Sequence, residues 1–219
     1  MKAYFVGVDL GQSRDFTAIA VVEMVEVKGE WDAAAYAWRK ETVFRLRFLE
    51  RVPLGTPYPE VVDRVVEVTR SRELAGRCHV AVDGTGVGRP VVDLLRSARP
   101  GGVLMPAIIT NGDFETRDHG YYRVPKRDLI IGLQVLLQGG ALQISSALKH
   151  GPELVKEMAD MQVRVTPSGN EQYGAWREGT HDDLIFAVAL ACWCARKVYP
   201  APEGDGRWWR PYGEDGRGW

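Results

Sequence analysis

Cysteine is scarce in this chain: three in 219 residues, Cys78, Cys192 and Cys194. An odd and sparse set excludes a disulfide framework and suits a reducing compartment. Cys192 and Cys194 stand two apart in a predicted helix, so they point to different faces and do not read as a metal pair. No apolar run is long enough to span a bilayer, and no signal peptide is visible. Excess charge of either sign is lacking too. Lys and Arg number 28 against 29 Asp and Glu, a formal net charge of −1. No global positive field advertises nucleic acid, although clustered acidic ligands would mask a local basic patch in such a total. A G-x-x-x-x-G-K-[ST] phosphate loop is also missing. What remains is ordinary globular composition, 45% hydrophobic and 26% charged, enough for one domain with a sizeable core. A cytosolic protein without membrane contact is expected.

The apolar pattern predicts the order of elements. Residues 2–10 read as a buried strand and 16–27 as a second, with Gly11-Gln12-Ser13-Arg14-Asp15 as the turn between them. Asp15 reads as a structural cap of that turn. Residues 28–40 read as a hairpin loop or small insertion. Residues 42–52 alternate, with Val43, Arg45 and Arg47 against Phe44, Leu46 and Phe48, and read as a third, half-exposed strand. A helix is predicted over 60–74, a strand over 78–82, a helix over 89–98 and a strand over 103–109. A polar loop follows at 110–124. Helices are then expected over 125–138, 153–161 and 182–197. Residues 162–166 and 171–176 flank Pro167-Ser168-Gly169-Asn170, a hairpin signal. Residues 200–219 carry Trp208, Trp209 and Trp219 among prolines and glycines, and read as a C-terminal tail after a domain of residues 1–199. An antiparallel meander of three strands, extended in parallel through helical crossovers, predicts a mixed sheet with helices on both faces.

Chemistry concentrates in aspartates. Asp9 ends the apolar run Tyr4-Phe5-Val6-Gly7-Val8, and Asp83 ends His79-Val80-Ala81-Val82. His181-Asp182-Asp183 opens the apolar run Leu184 to Ala191. Acidic residues suit a helix N-terminus electrostatically, which is one reading of Asp182 and Asp183. The other is a divalent cation site, since oxygen donors suit Mg²⁺ and Mn²⁺. In open α/β sheets ligands bind at the carboxyl ends of strands, where Asp9 and Asp83 are both expected. If those strands are neighbours, three or four carboxylates converge. Their mutual repulsion would be relieved by two ions about 3.5–4 Å apart, a pair suited to phosphoryl displacement.

The order of these motifs resembles a known family. Asp9-Leu10-Gly11 followed by Asp15-Phe16-Thr17-Ala18, then Val82-Asp83-Gly84-Thr85-Gly86-Val87-Gly88, then His181-Asp182-Asp183 resembles the nuclease domain of the large terminase subunit of tailed phages. Val124-Pro125-Lys126-Arg127-Asp128-Leu129 adds to the likeness, which covers about residues 4–197. The resemblance implies an RNase H-like fold: a mixed sheet of five or more strands with helices on both faces, plus a β-hairpin. It implies metal-dependent cleavage of double-stranded DNA with little sequence specificity during genome packaging, in the cytoplasm of the infected bacterial host. Carried onto this chain, Asp9 would bridge two Mg²⁺ or Mn²⁺ ions and Asp83 would hold one. Asp183, Asp182 or both would complete the site. Successive helix residues point about 100° apart, so the adjacent pair is not separated by sequence. Expected partners are a packaging ATPase domain or chain, the portal and the small terminase. The missing phosphate loop is a departure. It implies an isolated nuclease domain or a gene encoding only that half.

Candidate DNA contacts are Arg117, Arg123, Lys126 and Arg127, in a basic and aromatic stretch, with Arg164 and Arg177 of the expected hairpin. His181 is an auxiliary candidate for proton transfer, with a polar structural role as the alternative. Trp208 and Trp209 would dock a partner or simply belong to the tail. Two other activities remain open. Asp9-Leu10-Gly11 and Asp83-Gly84-Thr85-Gly86 also resemble the phosphate loops of the actin and sugar-kinase ATPase fold. A Holliday-junction resolvase would share fold and acidic site but cut a branched substrate. A non-catalytic packaging domain is a further reading.

Overall fold

The computed structural model describes residues 2–11, 15–86, 88–165, 171–174 and 181–200, with backbone only for 162–165 and 171–174. Four of the first five strands carry the predicted core of the sheet: β1 (Lys2–Asp9), β2 (Thr17–Asp32), β4 (Cys78–Asp83) and β5 (Val103–Thr110). The other, β3, spans Ala37–Val52. Helices α1 (Tyr58–Thr69) and α2 (Gly88–Ala98) precede and follow β4. Later come β6 (Thr116–Asp118), β7 (Tyr121–Pro125), α3 (Lys126–Gln138), β8 (Leu142–Ile144) and α4 (Gly151–Asp160). The hairpin β9 (Gln162–Val165) and β10 (Glu171–Gly174) and helix α5 (Asp183–Val198) complete the order. The main sheet has eight strands in the order β6-β7-β5-β4-β1-β2-β3-β8. β1, β2 and β3 form the antiparallel meander, and β4 and β5 add in parallel.

The two-residue period of β1 sorts its side chains between two cores. Tyr4, Val6 and Val8 meet α1 and α2 through Val61, Val65, Val91 and Leu95. Ala3 and Phe5 join α3, α4 and α5 on the other face. α5 is apolar around its whole circumference, as expected of a helix buried on all sides. Gly7 lets it sit close to the sheet. A Cβ at Gly7 would overlap the Ala187 carbonyl oxygen and lie 2.7 Å from the Ala191 nitrogen. Ala18, Ala20 and Ala81 keep the neighbouring strands low beneath the same helix.

Three stretches depart from expectation. Residues 28–40 are not a loop or insertion. β2 and β3 run on through them to a turn at 33–36. Trp31 pairs with Trp38 across the strands, their rings 5.4 Å apart and close to Tyr36, and Lys28 lies 3.6 Å from the Trp38 ring centre. Such cross-strand aromatic pairs stabilise a hairpin whose faces are both wet, so it shows no apolar face in the sequence. Residues 110–124 hold β6 and β7 rather than only a polar loop, and β8 was not expected. Three-residue strands are too short to show a period. Cys78, Cys192 and Cys194 are all buried and free, with burial holding their thiols protonated. Among the described residues no helix is long and apolar enough to cross a membrane. Residues 201–219, with Trp208, Trp209 and Trp219, lie outside those described.

Gly7→Ala should lower the free energy of unfolding by about 2–3 kcal/mol, as overpacking under a buried helix does. Denaturant titration reads it. A loss below about 0.5 kcal/mol, within the range of a neutral surface change, would show that α5 does not depend on this approach.

Candidate metal centre

Register brings the predicted aspartates together. β1 and β4 are parallel neighbours with Val8 level with Val82, and the next residues are Asp9 and Asp83. Asp9 shares the parity of Ala3, Phe5 and Gly7, and Asp83 that of Ala81, so both project toward the face that α5 covers. α5 begins there. Its first intrahelical bond runs from the Phe186 amide to the Asp182 carbonyl, making Asp182 the cap residue and Asp183 the first helical position. Asp182 makes no side-chain cap bond.

The acids differ in their surroundings. Among the described residues no hydrogen-bond donor reaches the Asp9 carboxylate. Burial, and then the negative charges of Asp83, Asp182 and Asp183, push Asp9 well above the usual carboxylate range, with Lys126 pulling the other way. Burial also raises Asp83. The Thr85 hydroxyl and amide oppose this, donating to Asp83 Oδ1 at 2.5 and 2.9 Å. The Thr85 hydroxyl oxygen in turn accepts from the Ile109 amide at 2.9 Å, which ties Asp83 to β5. Asp182 lies 3.6 Å from Lys126 Nζ, which also sits 4.4 Å from the Phe186 ring centre. Lys126 thus faces the acids from the start of α3.

Asp183 is buried and already committed. Arg51 Nε donates to its Oδ2 at 2.9 Å and Arg51 Nη2 to its Oδ1 at 3.0 Å. Arg51 Nη2 also pairs with Glu157 Oε1, and the Ile185 amide donates to Glu157 Oε2 at 3.2 Å. Burial and the charge of Asp183 push Glu157 up to about 8, against the pull of Arg51. The Phe16 ring covers the Arg51 guanidinium at 4.9 Å and also meets the His181 ring at 5.1 Å, edge to face.

Arg51 and Glu157 were not anticipated, and a β-bulge explains Arg51. Val22 pairs with Leu46 but Val21 with Phe48, leaving Arg47 extra. Phe44 and Leu46 face α5, and beyond the bulge Leu49 does. Strict alternation from Phe44 would put Arg51 on the opposite face; the inserted residue re-aims it. Arg51 pairs with Ala18, and Ala18 with Asp9, so the site is one row across four strands: Asp83, Asp9, Ala18, Arg51. Glu157 is a carboxylate on the buried face of α4, two turns from its start, a signal visible in the sequence once Leu154 is placed in the core.

Oxygen-only donors, a half-buried Asp9 carboxylate that meets no hydrogen-bond donor among the described residues and mutual repulsion of the acids fit a hard divalent cation. Among the described residues no three acidic, His or Cys side chains are already gathered around one point. The acids form a strongly negative rim in which Asp183 and Asp182 are held by Arg51 and Lys126. Arg117 lies 4.9 Å from the Tyr122 ring centre, Arg123 is exposed on β7, and Arg127 is turned to Asp113 and Asp128. The side chain of Arg164, and Arg177 altogether, lie outside the described residues.

Solved structures share this arrangement of elements. The chain is similar to the large terminase nuclease from thermophilic phage G20c with bound magnesium, with TM-score 0.58, 21% identity and coverage of 87% of this chain and 80% of that one. It is similar to the large terminase nuclease domain of Thermus phage P74-26, with TM-score 0.56, 19% identity and coverage of 87% and 78%. A mutant nuclease domain of the large terminase subunit of bacterial virus Sf6, with manganese and beta-thujaplicinol, aligns at TM-score 0.60 and 12% identity, covering 87% of each chain. No family model and no curated protein matches. The likeness is one of fold: the chain has the RNase H-like fold of the nuclease domains of phage large terminases.

Asp9 binds a proton more tightly folded than unfolded. Its favourable contribution is complete below the unfolded pKa of about 3.9 and is lost as pH rises through the raised folded value. Without divalent cations Asp9→Asn should therefore be more stable than the parent at pH 7, the gap closing toward pH 4. Added Mn²⁺ should stabilise the parent and not the variant. Melting curves across pH, with and without Mn²⁺, check both; a variant less stable at pH 7 would contradict the site.

Proposed function

We propose that the chain is a divalent-metal-dependent endonuclease of the large-terminase type, acting on double-stranded DNA with little sequence preference during phage genome packaging. The observation that carries this reading is the placement of Asp9 and Asp83 at the carboxyl ends of the adjacent parallel strands β1 and β4, with Asp182 and Asp183 at the start of α5 near enough for their charges to raise the Asp9 carboxyl. Residues 1–199 would be the nuclease domain. A packaging ATPase domain or chain, the portal and the small terminase would be its partners, and the host cytoplasm its place.

Two Mg²⁺ or Mn²⁺ ions, when bound, would supply Lewis-acid stabilisation of the phosphate and a water of lowered pKa. The residues supply the rest. Asp9, central and unpartnered, is suited to serve both ions. Asp83 would hold one, oriented by Thr85, in the manner of a ligand fixed by its own hydrogen bonds. Asp182 and Asp183 would complete the set. Lys126 offsets the negative rim and offers a cation to an approaching phosphate. Arg123, exposed on β7, and Arg117 beside Tyr122 extend that positive face, and Arg164 and Arg177 of the hairpin segment would guide the duplex. His181 lies edge-on to Phe16, which favours positioning over proton transfer.

Supercoiled plasmid incubated with Mn²⁺ or Mg²⁺ should be nicked and linearised, and spared in EDTA. Asp9→Asn and Asp83→Asn should each lose at least about 100-fold in rate, in keeping with removal of electrostatic stabilisation at a transition state. Linear duplex and four-way junctions should be cut comparably. Cleavage by Asp9→Asn at the parental rate would refute the assignment, and strict junction preference would turn it into a resolvase.

A further inference from the structure

Asp183 enters the proposed ligand set with both of its oxygens occupied. Arg51 grips them with two different nitrogens, the two-pronged geometry that makes guanidinium–carboxylate pairs strong. The same guanidinium is shared with Glu157. Two buried acidic side chains thus share one guanidinium.

Its parts are unequally free to move. Arg51 is pinned by the Phe16 ring over its face and by its place in the sheet row. Glu157 is pinned by the Ile185 amide. Asp183 has no such second anchor among the described residues; Arg51 is the partner recorded for its carboxylate. If Asp183 turns away, Arg51 keeps Glu157, and no lone charge is left in the protein interior. Removing one partner of a buried pair is otherwise strongly unfavourable.

Resting on the proposed metal centre, we infer that Arg51 is a built-in counter-ion for Asp183 that a second divalent cation displaces, with Glu157 as the receiver that retains Arg51 after the exchange. Arg51 and Glu157 are positioning residues. The first ion goes to Asp9 and Asp83, where no guanidinium stands in the way. The second binds more weakly because it competes with the Arg51 grip, so occupancy of the two positions is ordered.

Calorimetric titration of the full chain with Mn²⁺, without DNA, tests this, with electron paramagnetic resonance reporting coupled Mn²⁺ pairs. The parent should bind two ions, the second more weakly by about tenfold or more. Arg51→Lys keeps the charge but not the fork, and should tighten the second constant by about tenfold. Glu157→Gln removes the receiver and should weaken it by about tenfold, the first constant moving less than about twofold in either variant. A purely structural role would shift both variants in the same direction, and that result, or no shift, would overturn the inference while leaving the metal centre intact. Should Arg51→Lys fail to fold, Glu157→Gln decides alone: an unweakened second constant overturns it. A parent that binds no Mn²⁺, matching Asp9→Asn, would overturn both the inference and the metal centre beneath it.

Discussion

The close seating of α5 on β1 is the constraint on which the rest depends. It requires that nothing project from Gly7, and it requires small side chains at Ala18, Ala20 and Ala81 on the flanking strands. A helix held that near to the sheet brings its first residues against the strand ends. Asp182 and Asp183 come near enough for their charges to act on Asp9 because the helix is low, and α3 and α4 bring Lys126 to Asp182 and Glu157 to Arg51. A larger residue at position 7 would raise the helix and loosen the acidic row without touching any acid.

The electrostatics follow from that packing. Folding brings like charges together in buried and half-buried positions, which is unfavourable unless something positive enters. The chain itself supplies part of it through Arg51 and Lys126, placed on either side of Asp9. Asp9 meets no hydrogen-bond donor of its own among the described residues, and Lys126 only partly offsets the neighbouring acids. Fold and electrostatics are therefore coupled: the helix that stabilises the core is also the one that adds the charges of Asp182 and Asp183 to those of Asp9 and Asp83.

Much of this was legible in the sequence, for local reasons. Apolar runs ending in Asp9 and Asp83 mark strand ends, and two acids before an apolar run mark the start of a buried helix. The antiparallel meander with parallel additions followed from the order of runs and crossovers. What was not legible depended on register. The hairpin over 28–40 hid because both its faces meet water. Arg51 hid because an extra residue at Arg47 changes which side of the sheet it faces, and period-two reasoning has no way to see an insertion. Glu157 hid because one acid on an amphipathic helix reads as surface until its neighbours are placed.

The bulge at Arg47 makes the identity of the two sheet faces a matter of counting. From Phe48 to Val52 every side chain has the orientation it has because one residue is looped out: Glu50 meets Arg64 of α1 and Arg51 meets Asp183 of α5. Were the bulge to flatten with Arg47 kept in the ladder, the two would trade places, delivering a carboxylate to the acidic row and a guanidinium to the far side. The bulge is a reading-frame marker in three dimensions: it absorbs one residue so that the strand beyond it stays in phase with β2, and deleting Arg47 would leave Arg51 opposite Ala18 and beside Asp183, as it is now.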